Sequence, residues 1–205
     1  MQLKEIAELK AGVLTNRVLY DARKEEITEN ADESRDEDYY ISVLVPKAIH
    51  DGKVDHALLE RQKLKDVNGR PKDVDDFRTR EGDIIIKLAS PYDACLITKE
   101  DERLLIPSFC LKVDADPEKV DRYFLLAYFS SGFFMNELKR KCYGSVTALL
   151  KKTDFEKITI PDIPLSGQKA IGERYRSVEK MKGLMKEFIA LEKERLDTIL
   201  EEKQC

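Results

Sequence analysis

Apolar positions in the first half of the chain come in short runs separated by turn residues, which predicts a sheet of several short strands. Leu3, Ile6, Ala7 and Leu9, followed by Gly12, mark a short helix or strand within residues 3–14 that closes in a turn. The acidic stretch after Tyr20 reads as a loop. Residues 38–46, from Asp38 to Pro46, are rich in β-branched and aromatic side chains and stop at a proline, so they predict a strand, and Asp51-Gly52 predicts a turn. Residues 61–82 are polar, with a second turn at Asn68-Gly69-Arg70-Pro71. Glu81-Gly82-Asp83 then launches Ile84-Ile85-Ile86-Lys87-Leu88 as a buried strand. Further strands are expected at Ala94–Thr98 and Leu104–Val113, with Pro107 placing the latter at an edge or a bulge.

The second half of the chain changes period. Asp116-Pro117-Glu118 predicts a helix start, because an Asp side chain accepts from free backbone N–H groups and a proline in the first turn has no N–H to lose. Val120, Tyr123, Phe124 and Ala127 mark its buried face. A second helix runs from Gly132 to about Cys142 and ends in Lys139-Arg140-Lys141, charges suited to a helix C-terminus, before Gly144-Ser145 interrupts the chain. Residues 158–165 are extended, since each proline pushes its predecessor out of the helical region, and read as a strap leading out of the domain. From Ser166, a candidate N-cap, to about Lys203 there is no proline, which predicts a helix of about 35 to 38 residues, roughly 55 Å long.

That helix carries Ile171, Val178, Met185 and Ile199 at seven-residue spacing, with Tyr175, Ile189 and Leu196 four residues after heptad positions. Met181, Leu184, Phe188 and Leu191 widen the stripe, and Lys182 and Glu192 interrupt it, at a cost in stability that can fix register. Its length favours packing on a second molecule over lying on its own domain.

Composition agrees with long solvated helices: of 205 residues, 37% are charged and only 9 are Gly and 7 Pro. The length suits one domain plus an appendage. No apolar run approaches the ~18 residues of a membrane span and the N-terminus lacks a signal-peptide core, so a cytoplasmic protein is expected. Cys95, Cys110, Cys142 and Cys205 contain no C-x-x-C and read as free thiols, and His50 and His56 as surface or turn residues with no ligand partners in spacing. The net charge of -4 argues on its own against nucleic-acid binding. The charge is segregated, however: acids outnumber bases 8 to 3 over residues 23–38, bases outnumber acids 7 to 4 over 47–72, and 139–152 carry 5 bases and no acid.

Catalytic signatures are missing. Ser90-Pro91-Tyr92-Asp93 lacks the amide and second proline of an adenine methyltransferase motif, and there is no phosphate loop, nucleophile elbow or Cys/His pair at nucleophile spacing. Pro161-Asp162 and Glu201-Glu202-Lys203 could be assembled into a nuclease motif only if carboxylates from both ends of the long helix converged on one metal. A non-catalytic binding module with a charged face and a projecting helix remains.

Four segments in order carry a resemblance: residues 3–12 (Leu3 to Gly12); Glu81-Gly82-Asp83-Ile84-Ile85-Ile86; Ile106-Pro107-Ser108-Phe109; and residues 158–171, Ile158 to Ile171, with its two prolines and Gln168. Between them lie Tyr123–Phe129 and Gly144-Ser145 with Leu149. Across essentially the whole chain this resembles the specificity (S) subunits of type I restriction-modification systems, in a half-length form with one target recognition domain and one long helix. The resemblance implies a mixed α/β fold: a twisted β-sheet domain with flanking helices over residues 1–160, then a proline strap and coiled-coil-forming helix over 161–205.

It also implies a function. Such a module would bind double-stranded DNA, reading a half-site, and would dock the methyltransferase (modification) and restriction subunits. S-adenosylmethionine, ATP and Mg would be bound by those partners, and this chain would hold no cofactor or metal. A homodimer is expected through Ile171, Tyr175, Val178, Met181, Met185, Phe188, Ile189, Leu196 and Ile199. Phosphate contacts are expected at Lys139, Arg140, Lys141, Lys151 and Lys152, and base contacts at Lys47, Arg70, Lys72, Lys87, Ser90, Tyr92, Ser108 and Ser145. The other reading of the same features is a coiled-coil adaptor whose α/β head binds another protein.

Overall fold

The run Ile84-Ile85-Ile86 is the innermost strand of the protein, because a strand that is apolar on both faces needs cover on both. The computed structural model describes residues 1–20, 37–141 and 150–202, with the backbone alone at Lys139, Lys141 and Glu202. Its elements run β1 (Ala7–Ala11), α1 (Thr15–Val18), β2 (Tyr40–Val43), β3 (Ile49–His50), β4 (Lys53–Val54) and β5 (Glu60–Lys63). They continue with β6 (Ile84–Lys87), β7 (Ala94–Leu96), β8 (Cys110–Ala115), α2 (Arg122–Phe129), α3 (Gly132–Lys141), α4 (Lys152–Glu156) and α5 (Leu165–Glu202). The class is mixed α/β with a long C-terminal helix.

Four strands form an antiparallel sheet in the order β1-β8-β6-β7, with Leu9 opposite Val113 and Ile84 between Val113 and Leu96. Side chains alternate across it. Ile84 and Ile86 point into a core closed by Phe124 and Leu125 of α2, Phe134 of α3, Phe155 of α4 and the strap residues Ile158 and Ile160. Ile85 points the other way, with Cys95 and Cys110, onto Leu44, Ile49 and Ile106. A third cluster (Val18, Ile41, Val43, Leu64, Val74 and Leu105) lies under α1 and the two-stranded ribbon β2–β5.

Several elements differ from expectation. Residues 3–14 hold both readings in turn, a 3-10 turn at Leu3–Glu5 and then β1. The strand expected at Leu104–Val113 begins only at Cys110: Pro107 has no N–H to extend a ladder, and its carbonyl accepts from the N–H of Cys110 to close a turn. Strand β5 overlaps the start of the polar 61–82 region, where Glu60-Arg61-Gln62-Lys63 offers no apolar position to alternate. Asp116 does not cap the helix. Its side chain accepts from Glu118 N–H and its carbonyl takes the N–H groups of Lys119 and Val120, which completes one turn. The cap is Asp121, accepting from Phe124 N–H at 2.9 Å. Helix α2 is buried nearly all round, whereas Tyr123 and Ala127 of the expected face are only half-buried.

The strap does not simply lead out. Leu3 N–H donates to Ile158 and Ile160 N–H to Met1, so residues 158–160 are sewn to the N-terminus and their isoleucines are fully buried. Helix α5 starts at Leu165, before the expected cap Ser166, because the carbonyl of Pro164 already accepts the N–H of Gln168. The expected break at Gly144-Ser145 lies outside the described residues.

Candidate nucleic-acid interface and helix face

Helix α5 is held to the head along one line of its surface. The buried Gln168 amide donates to the carbonyl of Ile163 and accepts from the N–H of Asp121, at 2.8 and 2.9 Å. One turn on, Gly172 lies so close to α2 that a β-carbon there would meet Asp121 Oδ1 at 2.5 Å. Tyr175 turns its hydroxyl to Ser130 Oγ at 3.2 Å, Arg176 stacks over the Tyr123 ring at 4.7 Å, and Lys186 pairs with Asp51 at the tip of the β3–β4 hairpin. The Lys186 ammonium holds the Asp51 carboxyl below the usual carboxylate range, and burial pushes the Tyr175 phenol up.

Tyr175 therefore serves the head, a correction to its place among the outward seam residues: its ring is needed over Gly52, whose φ of +74° makes the hairpin tip. The rest of the stripe faces solvent. Ile171, Val178 and Ile199 are exposed, and Met181, Met185, Phe188, Ile189 and Leu196 are each more than half exposed. At about 100° per residue they lie roughly a quarter-turn or more round the helix from the docking line.

The expected DNA contacts divide. Lys87 is buried at the end of β6, its ammonium 2.8 Å from Asp93, which corrects its reading as a base contact. Tyr92, with a φ of 58°, is 8% exposed and belongs to the core, a second correction. Lys47 is exposed but paired with Glu60 at 2.9 Å, and Lys72 donates to the carbonyl of Arg17 at the C-terminus of α1, beside Lys65, which donates to Asn16. Arg70 is exposed at the loop tip made by Asn68 and Gly69 in left-handed conformations. Ser90, Lys151 and Lys152 are exposed, Ser108 is half-buried, and Lys152 reaches Glu156 at 3.6 Å. Arg140 is exposed on α3, while the side chains of Lys139 and Lys141, and all of Ser145, lie outside the described residues.

Backbone hydrogen bonds bring part of this set together. Leu88 N–H donates to Phe109 and Leu150 N–H to Leu88, so Ser90, Ser108, Lys151 and Lys152 emerge at one end of the sheet beside the exposed Phe109 ring. The hairpin tip, Leu96 and Thr98, which α5 crosses, lie at the opposite end. One group escaped sequence reading: on the β2–β5 ribbon the half-exposed Tyr40 ring sits under Arg61 at 5.3 Å and Lys63 at 5.9 Å. Its signal was available, since residues 61, 63 and 65 are alternate bases that one face of a strand would gather.

Other chemistry is limited. Burial pushes the thiols of Cys95 and Cys110 up, Cys110 to about 12, so neither is nucleophilic. His56 Nε2 lies 2.7 Å from Asp101, and His50 is exposed on the hairpin turn between Asp51 and Asp55. No group of three His, Cys, Asp or Glu that could hold a metal occurs among the described residues. Asp162 and Glu201 lie at opposite ends of the strap and the 38-residue α5, roughly 55 Å apart, so no single metal could join them. Among the described residues no helix is long and apolar enough to cross a membrane.

No protein-family model and no curated protein matches the chain. Solved structures do. A structure concerned with complex assembly and conformational transition of a type I restriction-modification system matches 97% of this chain with a TM-score of 0.56 and 17% identity. The HsdS subunit from Thermoanaerobacter tengcongensis matches 91% at a TM-score of 0.55 and 14% identity, and the type I S subunit from M. genitalium 93% at 0.53 and 14%. The chain spans 44%, 38% and 41% of those three chains. Over nearly its full length, and in less than half of theirs, this chain has the fold of the type I restriction-modification S subunits.

Proposed function

We propose that this chain is a half-length specificity module of a type I restriction-modification complex. The observation that carries the reading is the extent of the likeness: one sheet domain, one strap and one long helix are matched together, at under half the length of each matched chain. On this reading the chain is non-catalytic and acts in the cytoplasm. The head reads a half-site on double-stranded DNA, and the exposed stripe of α5 pairs with a second copy to restore two heads. Methyltransferase and restriction subunits dock on the assembly and bring S-adenosylmethionine, ATP and Mg with them.

Two groups suit the DNA contact. The β2–β5 ribbon offers Arg61, Lys63 and Tyr40, and the far end of the sheet offers Ser90, Ser108, Lys151 and Lys152. Cations position a protein on phosphates, and hydroxyl and guanidinium groups reach base edges. The acidic total does not oppose this, because the acids of α5 and of the 23–38 segment are separate in sequence from those bases.

The test is DNA retention by the purified chain mixed with its methyltransferase partner, as a function of salt. Affinity should fall steeply between 50 and 200 mM salt, by roughly 10-fold or more for a few phosphate contacts, because counterions are released. No retention at low salt would favour a protein-binding adaptor.

A further inference from the structure

We infer that Arg61, on the outer face of the β2–β5 ribbon, is the residue with which the head reads a guanine in the major groove, and that Tyr40 is the positioning residue that aims it. The inference rests on the DNA reading above and deepens it by separating the group that reads sequence from the groups that only hold phosphate.

The register of the ribbon sorts its side chains onto two faces. Tyr40 lies opposite Lys63 and Ser42 opposite Arg61, while Ile41 is paired with Gln62 and Val43 with Glu60. Opposed residues of a ladder share a face, and successive residues of a strand do not. Ile41 and Val43 are buried in the third core cluster and anchor the inner face. The outer face is therefore Tyr40, Ser42, Arg61 and Lys63: an aromatic ring, a hydroxyl and two cations, with no acid among them.

Two backbone hydrogen bonds fix that face to the head. Leu105 N–H donates to the carbonyl of Ser42 on one edge, and Tyr20 N–H to that of Lys63 on the other, at 2.9 and 3.0 Å. A duplex thus meets a surface whose backbone is already ordered, which lowers the cost of binding.

The chemistry of Arg61 fits one base. Among the described residues its guanidinium meets no carboxylate, and it lies over the Tyr40 ring at 5.3 Å. Stacking on a ring holds the planar group and leaves its N–H edges open. Two parallel N–H groups match O6 and N7, the adjacent acceptors that guanine presents in the major groove. That groove, about 12 Å wide and 8.5 Å deep, admits a long side chain from a face laid across it.

The neighbouring cations are committed differently. Lys65 and Lys72 donate to the carbonyls of Asn16 and Arg17, Lys47 is paired with Glu60, and at the far end of the sheet Lys152 reaches Glu156. An ammonium with one N–H engaged still suits a phosphate, which needs charge rather than a planar fork.

The test is selection of bound duplexes from a randomised library at low salt, by the full chain mixed with its methyltransferase partner. Wild type is compared with Arg61→Ala, Tyr40→Leu, Tyr40→Phe and Lys152→Ala. The wild type should select a sequence with guanine at a fixed position. Arg61→Ala should lose that preference, its affinity falling roughly 10-fold more for the selected sequence than for unselected duplex. Tyr40→Leu should weaken the same preference, and Tyr40→Phe, which keeps the ring, should retain it. Lys152→Ala should leave the guanine preference unchanged. Arg61 and Tyr40 are exposed, so unfolding midpoints by circular dichroism should stay near wild type and separate loss of reading from loss of folding.

A selected sequence without guanine, a preference that survives in Arg61→Ala, or one that disappears in Lys152→Ala instead would overturn the assignment while leaving DNA binding in place. Equal losses on selected and unselected duplex would make Arg61 a phosphate contact and overturn it as well. Tyr40→Phe behaving as Tyr40→Leu would overturn the positioning role of the ring. A wild type that is not retained on DNA at low salt would overturn the DNA reading and the assignment together.

Discussion

Gly82 is the residue where the turn before β6 and the start of α2 meet. Its φ is +88°, and a β-carbon built there would lie 2.3 Å from the Arg122 guanidinium. Gly82→Ala should therefore cost about 1–3 kcal/mol, through backbone strain and displacement of Arg122, read as a lower midpoint of urea unfolding. Its neighbour Asp83 carries a different constraint. The carboxylate is 3% exposed, accepts from Arg80 N–H at 2.8 Å and lies 2.9 Å from Lys112 Nζ on β8. Lys112→Met would strand that charge in the core and should destabilise by roughly 3–5 kcal/mol, far more than the loss of any surface pair here. Asp51 adds a pH dependence. Its carboxyl is held low chiefly by Lys186, so the pairing stabilises α5 docking above the ordinary carboxylate pKa of 3.8 and is lost as pH falls through the depressed native value. Acid titration of wild type against Asp51→Asn should show the wild type's advantage shrinking as pH falls below 3.8.

Among elements, those with their own period or punctuation were legible. The β6 run, the extended strap and α5 follow from unbroken apolar residues, spaced prolines and a proline-free heptad pattern. Strand β5 was not, because Glu60-Arg61-Gln62-Lys63 is polar at every position and shows no hydrophobic alternation, and its place is set by backbone pairing with β2. The cap at Asp121 was hidden by an equally plausible Asp116, and only the turn closed by Val120 N–H separates them. The same limit applied to the candidate site: Arg70, Ser90, Lys151 and Lys152 are surface residues as expected, but nothing in composition marks Lys87 as buried against Asp93. Helix α5 has unequal halves. Its first half is tied to the head by Gln168, Gly172 and Tyr175, while from about residue 187 it has only solvent beside it. Amide exchange should accordingly be slow over 168–183 and fast over 188–202 at low protein concentration, and the second segment should gain protection as concentration rises. Gly172→Ala should speed exchange in the first segment, since the added methyl would meet Asp121 and Tyr123.

At the scale of the whole molecule, the head meets α5 along a line roughly a quarter-turn from the apolar stripe. In the proposed dimer, two antiparallel helices side by side would be exchanged by an axis perpendicular to their common plane, so two heads attached in this way would project from the same side of that plane. With docking centred near Tyr175, each residue between the docking line and the axis of such a dimer would add about 3 Å to the separation of the two attachment points. On the proposed function, heads and helices would form a bracket open to one face of DNA, and its span would be set by the number of residues between docking line and axis. Inserting two heptads after Gly183 should leave the facing of the heads nearly unchanged while widening the bracket by about 42 Å. The preferred separation of the half-sites would lengthen by roughly 12 base pairs, which selection of bound sequences from a library of varied spacings would measure.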